Sequence, residues 1–378
     1  MSEKTLSWGL VVATYQREKI LPQCLKLAAQ QTRKPTEIIV VDASDNWNET
    51  RTRIMTEIAS EYPDIRWVYV PAHQRGLPLQ RNQGIDLARA DILFLLDDDS
   101  LMLSDCAEEI MKVYEADVEG AVMGVQAALT EMLPTDVVVQ DQQKATGGSG
   151  WQEKWIPFVG GIQRFVWKHI FLMNNEVLCV PYNGDLPTYS APKALQNLGA
   201  NPVRIFHGCR MTFRRDVIVK ERFEPLLLYY ALNEDMDASY RVSLHGMLLE
   251  ASNARLNHFQ SNSGRLRRYA VMAMSAMNQA VCICRYSNDL KRDKFRFYLL
   301  TTRRVIAEIF KDALSRRWTF PQVRGILTAF RYAPIVFELS PEELAEWYPE
   351  FQKQFVSTGR APSLKAVSAA LTEAHSIS

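Results

Sequence analysis

The chain has 378 residues, of which 47% are hydrophobic, 10% aromatic and 23% charged. That balance excludes a mostly disordered chain and supplies apolar surface for one large or two ordinary domains. The net charge of +1 names no partner, and the six cysteines show no CxxC spacing, which argues against a structural zinc site and for buried thiols in a reducing compartment.

The predicted elements alternate along the first hundred residues. Leu10 to Ala13 reads as a short buried strand ending in Thr14-Tyr15-Gln16-Arg17, and Ile20 to Gln31 has helical spacing. Glu37 to Val41 is a second strand, closed by the turn-rich Asp42-Ala43-Ser44-Asp45. Thr50 to Ser60 predicts a helix, Ile65 to Val70 a third strand, and Asn82 to Arg89 a helix leading into Ile92-Leu93-Phe94-Leu95-Leu96. Strand and helix in strict alternation imply a parallel doubly wound sheet. No GxGxxG follows the first strand and no GxxxxGK[ST] occurs, so Rossmann and P-loop nucleotide sites are disfavoured.

The fourth apolar run ends in Asp97-Asp98-Asp99. Three adjacent carboxylates repel unless a cation holds them, and Mg²⁺ or Mn²⁺ carrying a diphosphate suits hard oxygen ligands at the carboxyl end of a sheet. An acidic cap on the strand is the other reading.

Further on, Ser104 to Tyr114 predicts a helix and Ala121 to Leu129 a strand. Residues 133–200 read as irregular; Gly147, Gly148 and Gly150 beside Trp151 and Trp155 suit either a mobile flap or an insertion packed back on the domain. Val203 to Arg215 resumes regular structure, and Asn233-Glu234-Asp235-Met236-Asp237 opens a helix whose first-turn acids the backbone dipole favours. Beyond Gly264 the chain reads as helical. From Arg265 to Arg331 fifteen Lys/Arg face four Asp/Glu, a net of 15 − 4 = +11. Such a tail is either a solvated face or a surface for an anionic membrane or phosphorylated acceptor; nucleic acid is not expected, because no aromatic residues interleave a basic strand pattern. Residues 1–9 lack a leader pattern, and the apolar run 269–284 is broken by Ser275, Asn278 and Gln279, so a soluble cytoplasmic protein is expected.

Taken in order, Val11-Val12-Ala13-Thr14-Tyr15-Gln16-Arg17, Ile39-Val40-Val41-Asp42, Gly76 with Arg81-Asn82-Gln83-Gly84, Asp97-Asp98-Asp99, His207 through Arg215, Glu234-Asp235-Met236-Asp237 through Arg241 and Gly246, and then His258 form a series. This series resembles the family 2 inverting glycosyltransferases with the GT-A fold, of bacterial polysaccharide and rhamnosyltransferase-like type. Gln16 and Ala43 depart from the usual pattern.

The resemblance implies an α/β fold: a doubly wound mixed-sheet nucleotide-sugar domain over residues 1–262 (donor half 1–103, acceptor half 104–262), then a helical, basic C-terminal region over 263–378. It implies sugar transfer from a UDP- or dTDP-sugar to a saccharide or lipid-linked saccharide, with polyprenyl phosphate as alternative acceptor and a non-catalytic nucleotide-sugar-binding protein as the non-enzymatic alternative. Asp97, Asp99 and His258 would hold Mn²⁺ or Mg²⁺. Thr14, Tyr15, Arg17, Asp42, Arg81, Asn82, Asp97 and Asp98 would contact the donor. Asp235 would be the general base, with Glu234 orienting the acceptor. Peripheral contact with the inner face of the membrane and a homo-oligomer built through the tail complete the expectations.

Overall fold

The computed structural model describes residues 5–134, 181–206, 208–229, 231–259 and 267–362. The glycine–tryptophan segment, His207, Arg265 and the last residues of the tail lie outside the described residues. The described part falls into two compact units: one takes the residues within 5–134, 185–225 and 234–259, the other those within 181–184, 226–233 and 267–362.

The first unit is built on a nine-stranded mixed sheet. Its strands are β1 (Trp8–Thr14), β2 (Glu37–Asp42), β3 (Arg66–Pro71), β4 (Ile92–Asp97), β5 (Ser100–Met102), β6 (Val122–Leu129), β7 (Ala200–Val203), β8 (Arg210–Arg214) and β9 (Met247–His258), in spatial order β3-β2-β1-β4-β8-β6-β9-β5 with β7 on β9. β1 pairs in parallel with β2 and β4, whereas β8 runs antiparallel to β4 and β6. This is the mixed α/β sheet that the GT-A resemblance implied.

β1, β2 and most of β4 are buried on both faces, because their alternate residues enter two different cores. Leu10, Val12, Ile38, Val40, Phe94 and Leu96 join one core. Val11, Ile39, Val41, Leu93 and Leu95 join the other. Helices α1 (Leu21–Ala29), α2 (Trp47–Glu57) and α4 (Cys106–Ala116) supply the first core through Leu25, Ile54 and Ile110. Helices α3 (Leu77–Leu87), α6 (Arg215–Glu221) and α7 (Glu234–Ser243) supply the second through Ile85, Ile218 and Val242; the short α5 (Lys193–Asn197) adds Leu195 to the first.

α3 begins at Leu77, earlier than its apolar spacing suggests. Pro78 reads as a breaker in sequence but sits in the helix's first turn, where its missing N–H costs nothing. α3 lies close on the sheet at Gly84, where an added Cβ would stand 2.3 Å from Val11 Cγ1.

The second unit carries α8 (Arg268–Tyr286), α9 (Leu290–Leu314), α10 (Pro321–Val336) and α11 (Pro341–Thr358). α8 packs Met274, Met277 and Val281 inside, and α10 closes on it at Gly325, where a Cβ would meet the Tyr269 carbonyl at 2.5 Å. α11 opens on a capping box in which Ser340 and Glu343 satisfy each other's backbone N–H groups. No described helix is long and apolar enough to cross a membrane.

Candidate active site

Strand register brings the site together. Thr14 stands level with Asp42 across β1 and β2, and Ala13 level with Asp97 across β1 and β4. The carboxyl ends of three parallel strands therefore meet at one edge, where open α/β sheets bind ligands. After Asp97 the chain turns into β5, which pairs with the end of β9 so that Ser100 faces His258. The Phe259 N–H donates to the Asp99 carbonyl at 3.0 Å, fixing that turn.

This pairing sets Asp97, Asp99 and His258 so that one ligand atom of each lies within 4.8 Å of the others. His258 Nε2 is 3.2 Å from Asp99 Oδ1. Two carboxylates and an imidazole form a hard-to-borderline donor set that fits Mn²⁺ or Mg²⁺. The proton balance of the cluster agrees. Burial pushes Asp98 up to about 7, with the charge of Asp99 adding to it. Burial also raises Asp97; Arg81 opposes the rise and Asp99 reinforces it. Burial alone would lower the His258 ring, but hydrogen bonds to Asp99 and Cys209 outweigh it and push the group up to about 10. A cluster that holds protons this firmly has a surplus of negative charge for a cation to neutralise.

The residues expected to contact a donor divide by environment. Thr14 Oγ1 donates to Asp98 Oδ2 at 2.7 Å, so these two residues tie the ends of β1 and β4 to each other. Asp42 is buried and accepts from the Tyr69 hydroxyl at 2.6 Å and the Ser44 N–H at 2.8 Å. Tyr15 lies under the Arg75 guanidinium, 3.6 Å from its ring centre. Arg17 has a buried Nη1 with no hydrogen-bond partner, an unsatisfied donor close enough to Asp98 to lower its pKa. Asn82 points inward: its amide donates to the Phe223 carbonyl and accepts from the Phe223 N–H, both at 2.9 Å.

Arg81 is the hub. Its side chain is 1% exposed, yet it donates to Asp97 Oδ1 at 2.7 Å, to the Gly208 carbonyl at 3.2 Å and to Glu234. One buried guanidinium thus bridges the acidic strand end and the start of α7. Glu234 is buried behind it, and burial pushes its carboxyl up to about 8 despite the pull of Arg81. Asp235 is half-buried and firmly oriented: Oδ2 accepts from the Gly208 N–H at 2.8 Å and Oδ1 from the Met236 N–H at 2.9 Å. Its charge reaches Asp97, so the two acidic clusters share one neighbourhood. Asp237 turns away to pair with Arg241 at 2.8 Å.

Sequence reading passed over Gln80, whose amide donates to the Thr14 and Val41 carbonyls at 2.9 Å and pins α3 to both strand ends. Nothing local marks it; its position just before Arg81 is the only hint. Tyr69 and Arg75 were equally invisible, since each acts on a residue distant in sequence. Cys24 sits beneath the acidic turn, where burial and the nearby aspartates raise its thiol; with Cys106 and Cys209 it is a buried free cysteine, as expected.

Residues 10–176 match the family model described as Glycosyl transferase family 2. EpsH of Bacillus subtilis, named as a glycosyltransferase, is 25% identical over 195 residues, covering 48% of this chain and 53% of its own length. The GalNAc(5)-diNAcBac-PP-undecaprenol beta-1,3-glucosyltransferase of Campylobacter jejuni is 26% identical over 104 residues, 28% of this chain and 33% of that protein. The chain thus spans about half the length of the first relative and a third of the second. Among solved structures, GalNAc-T7 with UDP, GalNAc and Mn²⁺ superposes with a TM-score of 0.50 at 14% identity, covering 92% of this chain and 59% of that one, a likeness of fold. With the motif series, the mixed sheet and these matches agreeing, the chain carries a glycosyl transferase family 2 domain.

Proposed function

We propose that this chain is a metal-dependent inverting glycosyltransferase that moves a hexose from a UDP- or dTDP-sugar to a saccharide or lipid-linked saccharide. The observation that carries the proposal is the Arg81 bridge, which joins Asp97 of the Asp97–Asp99–His258 cluster to Glu234, the chain neighbour of Asp235. The undecaprenol-linked acceptor in the name of the Campylobacter relative favours a lipid-linked acceptor.

Asp97, Asp99 and His258 would hold Mn²⁺ or Mg²⁺, which when bound offsets the charge that builds on a diphosphate leaving group. The unpartnered Arg17 donor and Tyr15, at the end of β1, face the donor, and Asp42 keeps lone pairs for a base N–H. Asp235, the more exposed of the acidic pair, takes the proton from the acceptor hydroxyl as its oxygen attacks the anomeric carbon. Direct displacement by that oxygen inverts the anomeric centre and leaves no sugar on the protein. Glu234, bonded to Arg81, acts as a positioning residue. The enzyme works in the cytoplasm and visits the inner face of the membrane.

The test is nucleotide release from a panel of nucleotide sugars with Mn²⁺. Asp235→Asn retains donor affinity and loses at least about a hundredfold in turnover; near-normal turnover by this variant places the base elsewhere.

A further inference from the structure

α9 is amphipathic in the wrong sense for a helix of a water-soluble unit. Its buried residues are Asp293, Phe297, Thr301, Ala307, Glu308 and Asp312, four of them polar or charged. Its outward residues include Phe295 at 69% exposure, Leu299 at 42%, Ile306 at 44% and Ile309 at 41%. Positions 295, 299, 302, 306 and 309 recur at alternating steps of four and three, so at 3.6 residues per turn they align as one stripe. Twelve large apolar side chains are exposed among the described residues, and eight of them lie between Phe295 and Leu327. Scattered exposure needs no explanation, but a concentration of this kind marks a contact surface.

The charge around the stripe identifies the contact. The acids of α9 are held inside the unit: Asp293 accepts from Ser287 at 2.7 Å and Arg292 at 2.8 Å, Glu308 from Gln322 at 2.5 Å, and Asp312 from the Gln322 N–H at 3.0 Å. Between residues 267 and 331 ten Lys/Arg are exposed, and Asp289 is the one exposed acid among the described residues. Lys291, Arg292 and Arg303 stand on or beside the stripe by helical phase. Pairing the stripe with a second copy would oppose like charges, whereas an anionic head-group layer complements them and accepts the apolar side chains below it.

We infer that the outward stripe of α9 lies in the head-group region of an anionic lipid bilayer. This deepens the peripheral-membrane part of the proposed function and requires no sugar transfer, so the two fail separately. The experiment uses the full chain and two vesicle preparations, phosphatidylcholine alone and phosphatidylcholine mixed with phosphatidylglycerol, with co-sedimentation as the readout. The chain binds the mixed vesicles only, and high salt weakens the binding. Ile306→Ser with Ile309→Ser, and separately Arg303→Glu, each weaken it roughly tenfold or more while leaving the circular dichroism spectrum unchanged. Equal binding to both vesicles, or equal binding by the variants, overturns the inference. So does light scattering that shows a dimer which the serine pair converts to monomer, since that assigns the stripe to a second copy.

Discussion

Arg81→Met tests the bridge directly. The wild-type guanidinium, 1% exposed, serves Asp97, Glu234 and the Gly208 carbonyl. Methionine fills similar volume and needs no partner, so the cost comes from the groups left behind. Breaking a buried ion pair from one side typically costs about 3–5 kcal/mol. Two features move the expectation to the low end. Glu234, already pushed up to about 8, escapes by keeping its proton near neutral pH, and Asp97 retains 31% of its side-chain surface for water. A loss of about 3 kcal/mol follows, equal to roughly 1–3 M in urea midpoint at ordinary slopes. The assay is urea unfolding of the first unit followed through Trp8, Trp47 and Trp67, because a single midpoint for two units would have no defined meaning. Adding Glu234→Gln to Arg81→Met restores part of the loss, since the orphaned acid is gone. A loss under about 1 kcal/mol, or strictly additive effects in the pair, refutes the bridge as described.

Two further outcomes follow from the same cluster. Glu234 has a raised pKa in the folded chain, so the folded state holds a proton that the unfolded state has released; stability is full below about 4.5 and falls as pH rises toward about 8. Glu234→Gln removes this contribution, up to about 1.4 kcal/mol per pH unit, and flattens the stability profile in that window; an unchanged profile shows that the carboxyl is not held as described. His258→Ala removes one of three candidate ligands at a strand end, and Mn²⁺ affinity by calorimetry falls more than about tenfold with thermal stability little changed; wild-type affinity in that variant removes His258 from the metal set.

The sheet was legible because its strands carry unusually plain signals. Ile38 to Val41 and Ile92 to Leu96 are continuous apolar runs that stop at acids, and the strands end at those acids. The convergence of those ends was legible too, since parallel strands joined by right-handed crossovers have no other common edge. What sequence could not show is long-range partnership. β5 has three residues, too few for any periodicity, yet its register alone carries His258 to Asp99. Asn82 reads as a donor contact until Phe223, 141 residues away, takes both ends of its amide. Arg81 reads as a donor contact, and nothing near it in sequence shows that Glu234, 153 residues on, is its buried partner. The distribution of charge over the tail is hidden for a related reason: counting residues cannot tell that three of its acids point inward.

The bare Cα hydrogen of Gly84 governs where the chemistry stands. With 2.3 Å between an added methyl and Val11, the helix axis and its rotation leave no slack, and Arg81 rides one turn upstream on that same axis. Substitutions meant to leave the frame in place should therefore keep that contact untouched and fall on exposed positions such as Gln16 and Arg75, where side chains change without shifting the helix that aims the charges.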